Sequence, residues 1–209
     1  MQEKALEAKT KHVWEKIAES ECLNDFYLAG GTGLALQFGH RKSIDLDFFN
    51  PAPFSTAKLT ERLSALGDLK INSKTEEDTL NCSLNGVLVS FFKYPYKLLF
   101  PLAEYKGVKI ADFRDIACMK IDVISSRGSK KDFVDLYFIL NKISLKELLT
   151  LFDKKYEGIK YNRMHLLKSL FYFDEAEKDP VPVMLEDIKW EDVKERIKRE
   201  TAEYLKDND

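Results

Sequence analysis

Residues 26–49 read FYLAGGTGLALQFGHRKSIDLDFF, and the punctuation of this stretch decides the fold. Asp25-Phe26-Tyr27-Leu28-Ala29 is a short apolar run that halts at Gly30-Gly31. Thr32 to Phe38 (TGLALQF) then reads as a short helix stopped by Gly39, and Ser43 to Phe49 (SIDLDFF) is strand-like again. Strand, glycine turn, helix and strand in such quick succession open an α/β or α+β core.

Asp45 and Asp47 stand at i and i+2 of the second strand, so both carboxylates project from one face while Ile44, Leu46 and Phe48 are expected to face a core. Adjacent carboxylates repel, a cost that a divalent cation between them offsets. Oxygen-only ligation with open positions suits Mg²⁺ or Mn²⁺ shared with substrate phosphates. The plainer alternative is an acidic edge facing water. Gly30-Gly31-Thr32 lies at a strand-to-helix turn, where missing Cβ atoms let a ligand approach and the first helical N–H groups can hold a phosphate. Its own plain reading is a tight turn with Thr32 as helix cap. Neither GxGxxG nor a GxxxxGK[ST] loop is present. Taken together, the glycines and the carboxylates fourteen residues beyond them describe a nucleotide site, phosphate cradle first and metal carboxylates second.

Outward from this stretch, residues 3–19 place Leu6, Val13, Trp14 and Ile17 at helical spacing, an amphipathic helix. Pro51 and Pro53 break the chain before Ser55, which caps a helix through Leu59, Leu63 and Leu66 to Gly67. Leu69–Ser73, Thr79–Leu84 and Val87–Phe92 read as strands, the last two joined by Asn85-Gly86, a strong hairpin signal because both residues tolerate positive φ. From Asp112 the period is helical, near 112–126, 130–141, 144–156, 161–172 and 190–206. The expected class is α+β (α/β), a mixed β-sheet with flanking helices followed by a helical C-terminal half, with a core over 1–110 and a helical region over 111–209 packed on it.

Composition narrows the function. The 209 residues carry 33 Lys plus Arg against 35 Asp plus Glu, which argues against a uniformly basic nucleic-acid module, and 44% hydrophobic content suffices for a real core. The balance is an average over opposites: residues 1–92 carry −3, 93–168 carry +7 and 169–209 carry −6. No stretch approaches the ~20 apolar residues of a membrane span, and the N-terminal residues lack the apolar core of a signal peptide. Cys22, Cys82 and Cys118 form no CxxC pair, so neither a disulfide framework nor a zinc site is suggested, and a cytoplasmic location is expected.

The 26–49 stretch resembles the opening signature of the AbiEii/AbiGii toxin family, a branch of the nucleotidyltransferases that share the DNA polymerase beta fold. A second block, IADFRDIACMKIDVISSRGSKKDFVDLYFIL at 110–140, is similar to that family's later motif, a lysine and an arginine on one helix ahead of a Lys-Asp-x-x-Asp-Leu helix start. In physical terms, Ile116, Lys120, Val123 and Arg127 share a helix face, so both long cations can reach a triphosphate from beside apolar neighbours. Lys120 is the first candidate and Arg127 the second; the alternative is that both snorkel to water. Ser129 to Asp132 is close to a capping box, which offers Asp132 a structural role. The resemblance instead implies that Asp132 joins Lys120 in the active site, either accepting the proton of an attacking hydroxyl or orienting Lys120. Asp135 reads mostly as structural. The resemblance further implies, through the run HRxSxDLDF, that Arg41 or Ser43 contacts substrate phosphates.

Many members of the superfamily place a third carboxylate on a later strand, where Val87–Phe92 offers only Ser90. Either two carboxylates, phosphates and water hold the cation, or an acid such as Asp132 completes the site. The expectation is a nucleotidyltransferase transferring a nucleoside monophosphate from a nucleoside triphosphate to an acceptor hydroxyl. Its catalytic residues would be Asp45, Asp47, Lys120 and Asp132, with Gly30, Gly31, Thr32, Arg41, Ser43, Lys120 and Arg127 on the nucleotide. The resemblance implies a type IV-like toxin–antitoxin or abortive-infection toxin with a cognate antitoxin and RNA, tRNA included, as acceptor. The alternatives are transfer to a small molecule or protein, and a catalytically silent nucleotide-binding module.

Overall fold

The computed structural model describes residues 1–72 and 77–207. The chain runs through α1 (Ala8–Ala18), β1 (Tyr27–Leu28), α2 (Gly30–Phe38), β2 (Leu46–Asn50), α3 (Thr56–Ser64), β3 (Leu69–Ile71), β4 (Thr79–Leu84), β5 (Val87–Lys93), β6 (Ala103–Tyr105) and β7 (Val108–Ile110). Helices follow: α4 (Phe113–Ser126), α5 (Lys130–Leu140), α6 (Leu145–Lys155), α7 (Arg163–Ser169), α8 (Asp174–Lys178) and α9 (Trp190–Lys206). The strands form one sheet in the order β3-β4-β5-β2-β1-β7-β6. It is mixed: β2 runs parallel to β5 and antiparallel to β1, and β1 runs parallel to β7.

The period-2 alternation of β2 and β5 divides the sheet's centre by face. Leu46 and Phe48 pair in register with Val89 and Phe91, all fully buried against Val13, Trp14 and Ile17 of α1 and Leu59 and Leu63 of α3. On the other face the same register sets Asp47 beside Ser90 and Phe49 beside Phe92. A second core joins Tyr27, Ala29 and Leu34 to the helices through Ile116, Ile121, Phe133, Leu136, Leu148 and Ile197. Val193 and Ile197 of α9 belong to it, so the acidic C-terminal region folds back on the basic middle. A buried pair, Lys155 Nζ to Asp115 Oδ1 at 2.7 Å, staples the segment ahead of β6. Asp115 accepts the N–H groups of Leu99 and Phe100, and Lys155 donates to the carbonyl of Lys97.

Several elements depart from the sequence expectation. The single N-terminal helix splits into a 3₁₀ turn, Glu3–Ala5, and α1, because Leu6 is extended and bridges Ser43. The expected strand from Ser43 begins only at Leu46. Residues 40–43 pair elsewhere, Arg41 bridging Met184 and Lys42 N–H donating to Val183 O at 2.7 Å. Outside the ladder, Ile44 does not face the core as expected and is 51% exposed. The expected strand Leu69–Ser73 ladders from Leu69 to Ile71, and Ser73 lies outside the described residues. The Asn85-Gly86 hairpin forms with φ of 49° and 74°. Among the described residues, no helix is long and apolar enough to cross a membrane.

Candidate active site

The sheet face carrying Asp47 and Ser90 opens onto a cleft of about 900 Å³ between the β-sheet and helices α4 and α5. Gly30, Gly31, Thr32, Arg41, Ser43, Asp45, Asp47, Lys120, Arg127 and Asp132 all line it, so residues from two distant sequence blocks meet in one place. Phe49, Phe92 and Tyr94 form an aromatic wall, with Phe49 lying 5.5 Å from each of the other two rings.

The two glycines make room for side chains. Gly30 adopts φ of 62°, and a Cβ there would lie 2.8 Å from Asp47 Oδ2. A Cβ on Gly31 would collide with the Arg41 guanidinium. Thr32 is not the cap expected of it, since α2 already begins at Gly30, with Ala29 at the cap position and no capping side chain. Thr32 is instead buried in the first turn, its hydroxyl donating to the carbonyl of Asp45 and sharing a 2.8 Å hydrogen bond with Ser43 Oγ. Those bonds fix the backbone that presents Asp45 just before β2.

Behind the carboxylates sits a buried ionic cluster centred on Asp135. Its Oδ1 accepts from Arg41 Nε and His40 Nε2, both at 2.7 Å, and its Oδ2 from the second Arg41 nitrogen at 2.9 Å, with Lys120 Nζ also at 2.7 Å. Lys120 donates to Asp132 Oδ1 at 2.7 Å as well. Burial favours neutral forms here, but the opposite charges win. Burial would raise Asp135, yet Arg41 and Lys120 hold it well below the usual carboxylate range. Burial would lower Lys120, yet Asp135 and Asp132 hold its ammonium above its ordinary value.

Asp132 does not close the capping box that was the alternative to its active-site role. The Ser129 side chain makes no bond to the helix backbone and donates to Asp132 Oδ2 at 2.5 Å. Asp132 is fully buried, and although burial raises it, Lys120 and Ser129 hold it below its ordinary value. A carboxylate so engaged suits orienting Lys120 better than accepting a proton. Among the described residues, no group of three or more His, Cys, Asp or Glu gathers as a metal set, so Asp132 does not complete one with Asp45 and Asp47.

The Asp45–Asp47 pair itself fits a hard cation. The Asp47 carboxylate accepts no hydrogen bond among the described residues, and burial followed by the Asp45 charge pushes it above its ordinary value. A partly buried, unbonded carboxylate beside another is a donor set that Mg²⁺ or Mn²⁺, with phosphate and water oxygens in the remaining positions, would relieve. Ser90, register partner of Asp47, supplies a hydroxyl to the cleft.

Sequence reasoning missed three cations and one strap. Lys131 Nζ lies 3.9 Å from Asp45 Oδ2, and Lys42 and Lys93 also line the cleft. Lys131 was legible in the Lys-Lys-Asp run, whereas the strap Val181–Val183, which borders the cleft by pairing with residues 40–42, carries no local signal. Arg127, 67% exposed and 3.9 Å from Asp132, is the freest of the nominated cations.

Comparison with known proteins agrees with this geometry. Residues 12–95 match the family model described as nucleotidyl transferase AbiEii toxin, Type IV TA system. The chain is 40% identical over 208 residues to an uncharacterised protein of Aquifex aeolicus (strain VF5), covering 96% of this chain and 98% of that one. Among solved structures, a candidate nucleotidyltransferase from H. pylori aligns at 15% identity and TM-score 0.55 over 95% of this chain and 94% of that one. MenT4, a nucleotidyltransferase toxin from Mycobacterium tuberculosis H37Rv, aligns at 14% and 0.54 over 94% and 85%. The fold is thus the one those structures share, and the AbiEii nucleotidyl transferase match spans the stretch of this chain that carries the Gly30-Gly31 turn and the Asp45–Asp47 pair.

Proposed function

We propose that the chain is a metal-dependent enzyme that moves a nucleoside monophosphate from a nucleoside triphosphate to the hydroxyl of an RNA acceptor, with tRNA the leading candidate. In this reading it is the cytoplasmic toxin of a type IV-like toxin–antitoxin or abortive-infection pair and is restrained by a cognate antitoxin. The observation that carries it is the paired carboxylates Asp45 and Asp47 facing Lys120, Arg127 and Lys131 across one cleft. Opposed charges of this kind receive a polyphosphate and a cation together.

Asp45 and Asp47 would hold Mg²⁺ or Mn²⁺, which when bound neutralises phosphate charge and polarises the α-phosphoryl group. Arg127 and Lys131 contact the triphosphate at the cleft mouth. Lys120, with two of its three N–H donors directed at Asp132 and Asp135, offers the third to a phosphate oxygen. Ser43, through Thr32, holds the Asp45 backbone in place, and Arg41 packs against Gly31 while bound to Asp135. The acceptor oxygen bonds to the α-phosphorus as the bond from that phosphorus to the α–β bridging oxygen breaks; the hydroxyl proton passes to solvent water and pyrophosphate leaves. The protein contributes alignment and charge rather than a covalent intermediate.

The test is to incubate each α-labelled nucleoside triphosphate with the protein and, separately, total RNA, total protein and a small-molecule extract. Label is expected in RNA. Label confined to the protein or small-molecule fraction would move the acceptor to that class, and none in any fraction would contradict the reading.

A further inference from the structure

We propose that the exposed face spanning residues 159–172, on and around α7, binds single-stranded polynucleotide and leads it to the cleft. This rests on the transfer reading above and extends it to where the acceptor lies. Five large apolar side chains stay exposed within this stretch: Ile159, Tyr161, Met164, Phe171 and Tyr172, with Met164 at 52% and Tyr172 at 57%. Concentrated exposure of this kind marks a contact surface. Lys160 and Lys168 are interleaved with them, exposed and without an ion-pair partner among the described residues.

Two observations name the occupant. The first is charge: residues 159–172 carry Lys160, Arg163 and Lys168 and no acidic side chain, and these cations lie among the rings instead of bordering a continuous apolar patch. Aromatic faces stack any base while lysines neutralise phosphates, the usual construction for unpaired strands. The second is continuity. His165 Nε2 lies 3.1 Å from the Ser125 carbonyl, holding α7 against the C-terminal end of α4, two residues from Arg127 in the cleft wall. A strand whose end reaches the α-phosphate can therefore pass Arg127 directly onto α7. By contrast, the strap Val181–Val183 on another side of the cleft is apolar and offers phosphates nothing.

The test titrates a fluorescently labelled single-stranded RNA of about twelve nucleotides, a length within the site sizes of such proteins, into the full chain at several salt concentrations. Met164→Ala with Tyr172→Ala is expected to weaken binding about tenfold. Lys160→Gln with Lys168→Gln is expected to flatten the slope of log affinity against log salt by roughly 0.7 per charge removed. All four side chains are exposed, so parental melting temperatures will show that both variants fold. Parental affinity and slope in both variants overturn the proposal, as does a loss of protein association with RNA affinity unchanged. Asp47→Asn separates the two readings: it should bind RNA like the parent while losing transfer. Transfer surviving in Asp47→Asn sinks the catalytic reading alone, and undisturbed RNA binding in the surface variants sinks this one alone.

Discussion

Replacing Asp135 with Asn removes one charge from a densely bonded, buried cluster and keeps its shape. The carboxylate is fully buried and takes Arg41 at 2.7 and 2.9 Å, His40 at 2.7 Å and Lys120 at 2.7 Å. In Asp135→Asn, Lys120 keeps Asp132, but Arg41 keeps the Lys42 carbonyl and a single amide oxygen, so a buried guanidinium loses its counter-charge. Removing one partner of a buried pair costs about 3–5 kcal/mol. For a chain of this length each kcal/mol moves the melting temperature by about 2–4 °C, so a fall of roughly 6–20 °C is expected at pH 7. Calorimetry across a pH series adds a second signature. Because Asp135 is held well below its ordinary value, its contribution is complete above about pH 5 and is lost as the pH falls through the unfolded value and on toward the folded one. The gap between parent and variant therefore narrows in acid. A loss under about 1 kcal/mol at pH 7, far below the range for a broken buried pair, or a gap that widens on acidification, would refute the reasoning.

Other substitutions test the remaining parts. Gly30→Ala meets both a positive φ and Asp47 Oδ2 at 2.8 Å, so it should cost about 1–2 kcal/mol in stability and, by displacing Asp47, most of the transfer activity; full activity would show that Asp47 tolerates displacement. In divalent-free buffer the parent should lose stability as the pH rises above the ordinary aspartate value, because its folded state holds the Asp47 proton longer than the unfolded chain does. Asp47→Asn should lack that decline, and Mg²⁺ should raise the melting temperature of the parent only; equal Mg²⁺ stabilisation of both would remove Asp47 from the metal site. Asp115→Ala strands Lys155 and the N–H groups of Leu99 and Phe100, and should destabilise by about 3–5 kcal/mol in urea unfolding. An unfolding curve unchanged from the parent would show that this staple contributes nothing.

The sequence was most legible where a local rule dictates the chain path. Asn85-Gly86 makes its hairpin because both residues accept positive φ, and the Gly30-Gly31 break ends β1 where α2 must start. Sheet order was not legible: β2 lies parallel to β5 although α3, β3 and β4 separate them in sequence, a pairing set by tertiary packing. The hairpin of β6 and β7 escaped notice because three-residue strands carrying Glu104 and Lys109 offer too short an alternation, though Lys106-Gly107 turns it with φ of 47° and 75°. At the site, residue types and spacing nominated side chains that do meet in one cleft. They left unseen that Asp135, set aside as structural, joins Arg41 to Lys120, and that Gly31 is small to admit Arg41. The Arg41–Asp135 contact joins residues 94 positions apart, and the others follow from how the chain packs around it, which no local pattern encodes.

The central claim is that Asp45 and Asp47 hold the cation for nucleotidyl transfer. Its most direct test measures transfer of label from an α-labelled nucleoside triphosphate to RNA by the parent, Asp45→Asn and Asp47→Asn, each with Mg²⁺ and with chelator. The account expects Mg²⁺-dependent transfer with stoichiometric pyrophosphate release in the parent, and none above background in either variant or with chelator. Transfer at the parental rate in either variant, or transfer indifferent to chelation, would contradict it.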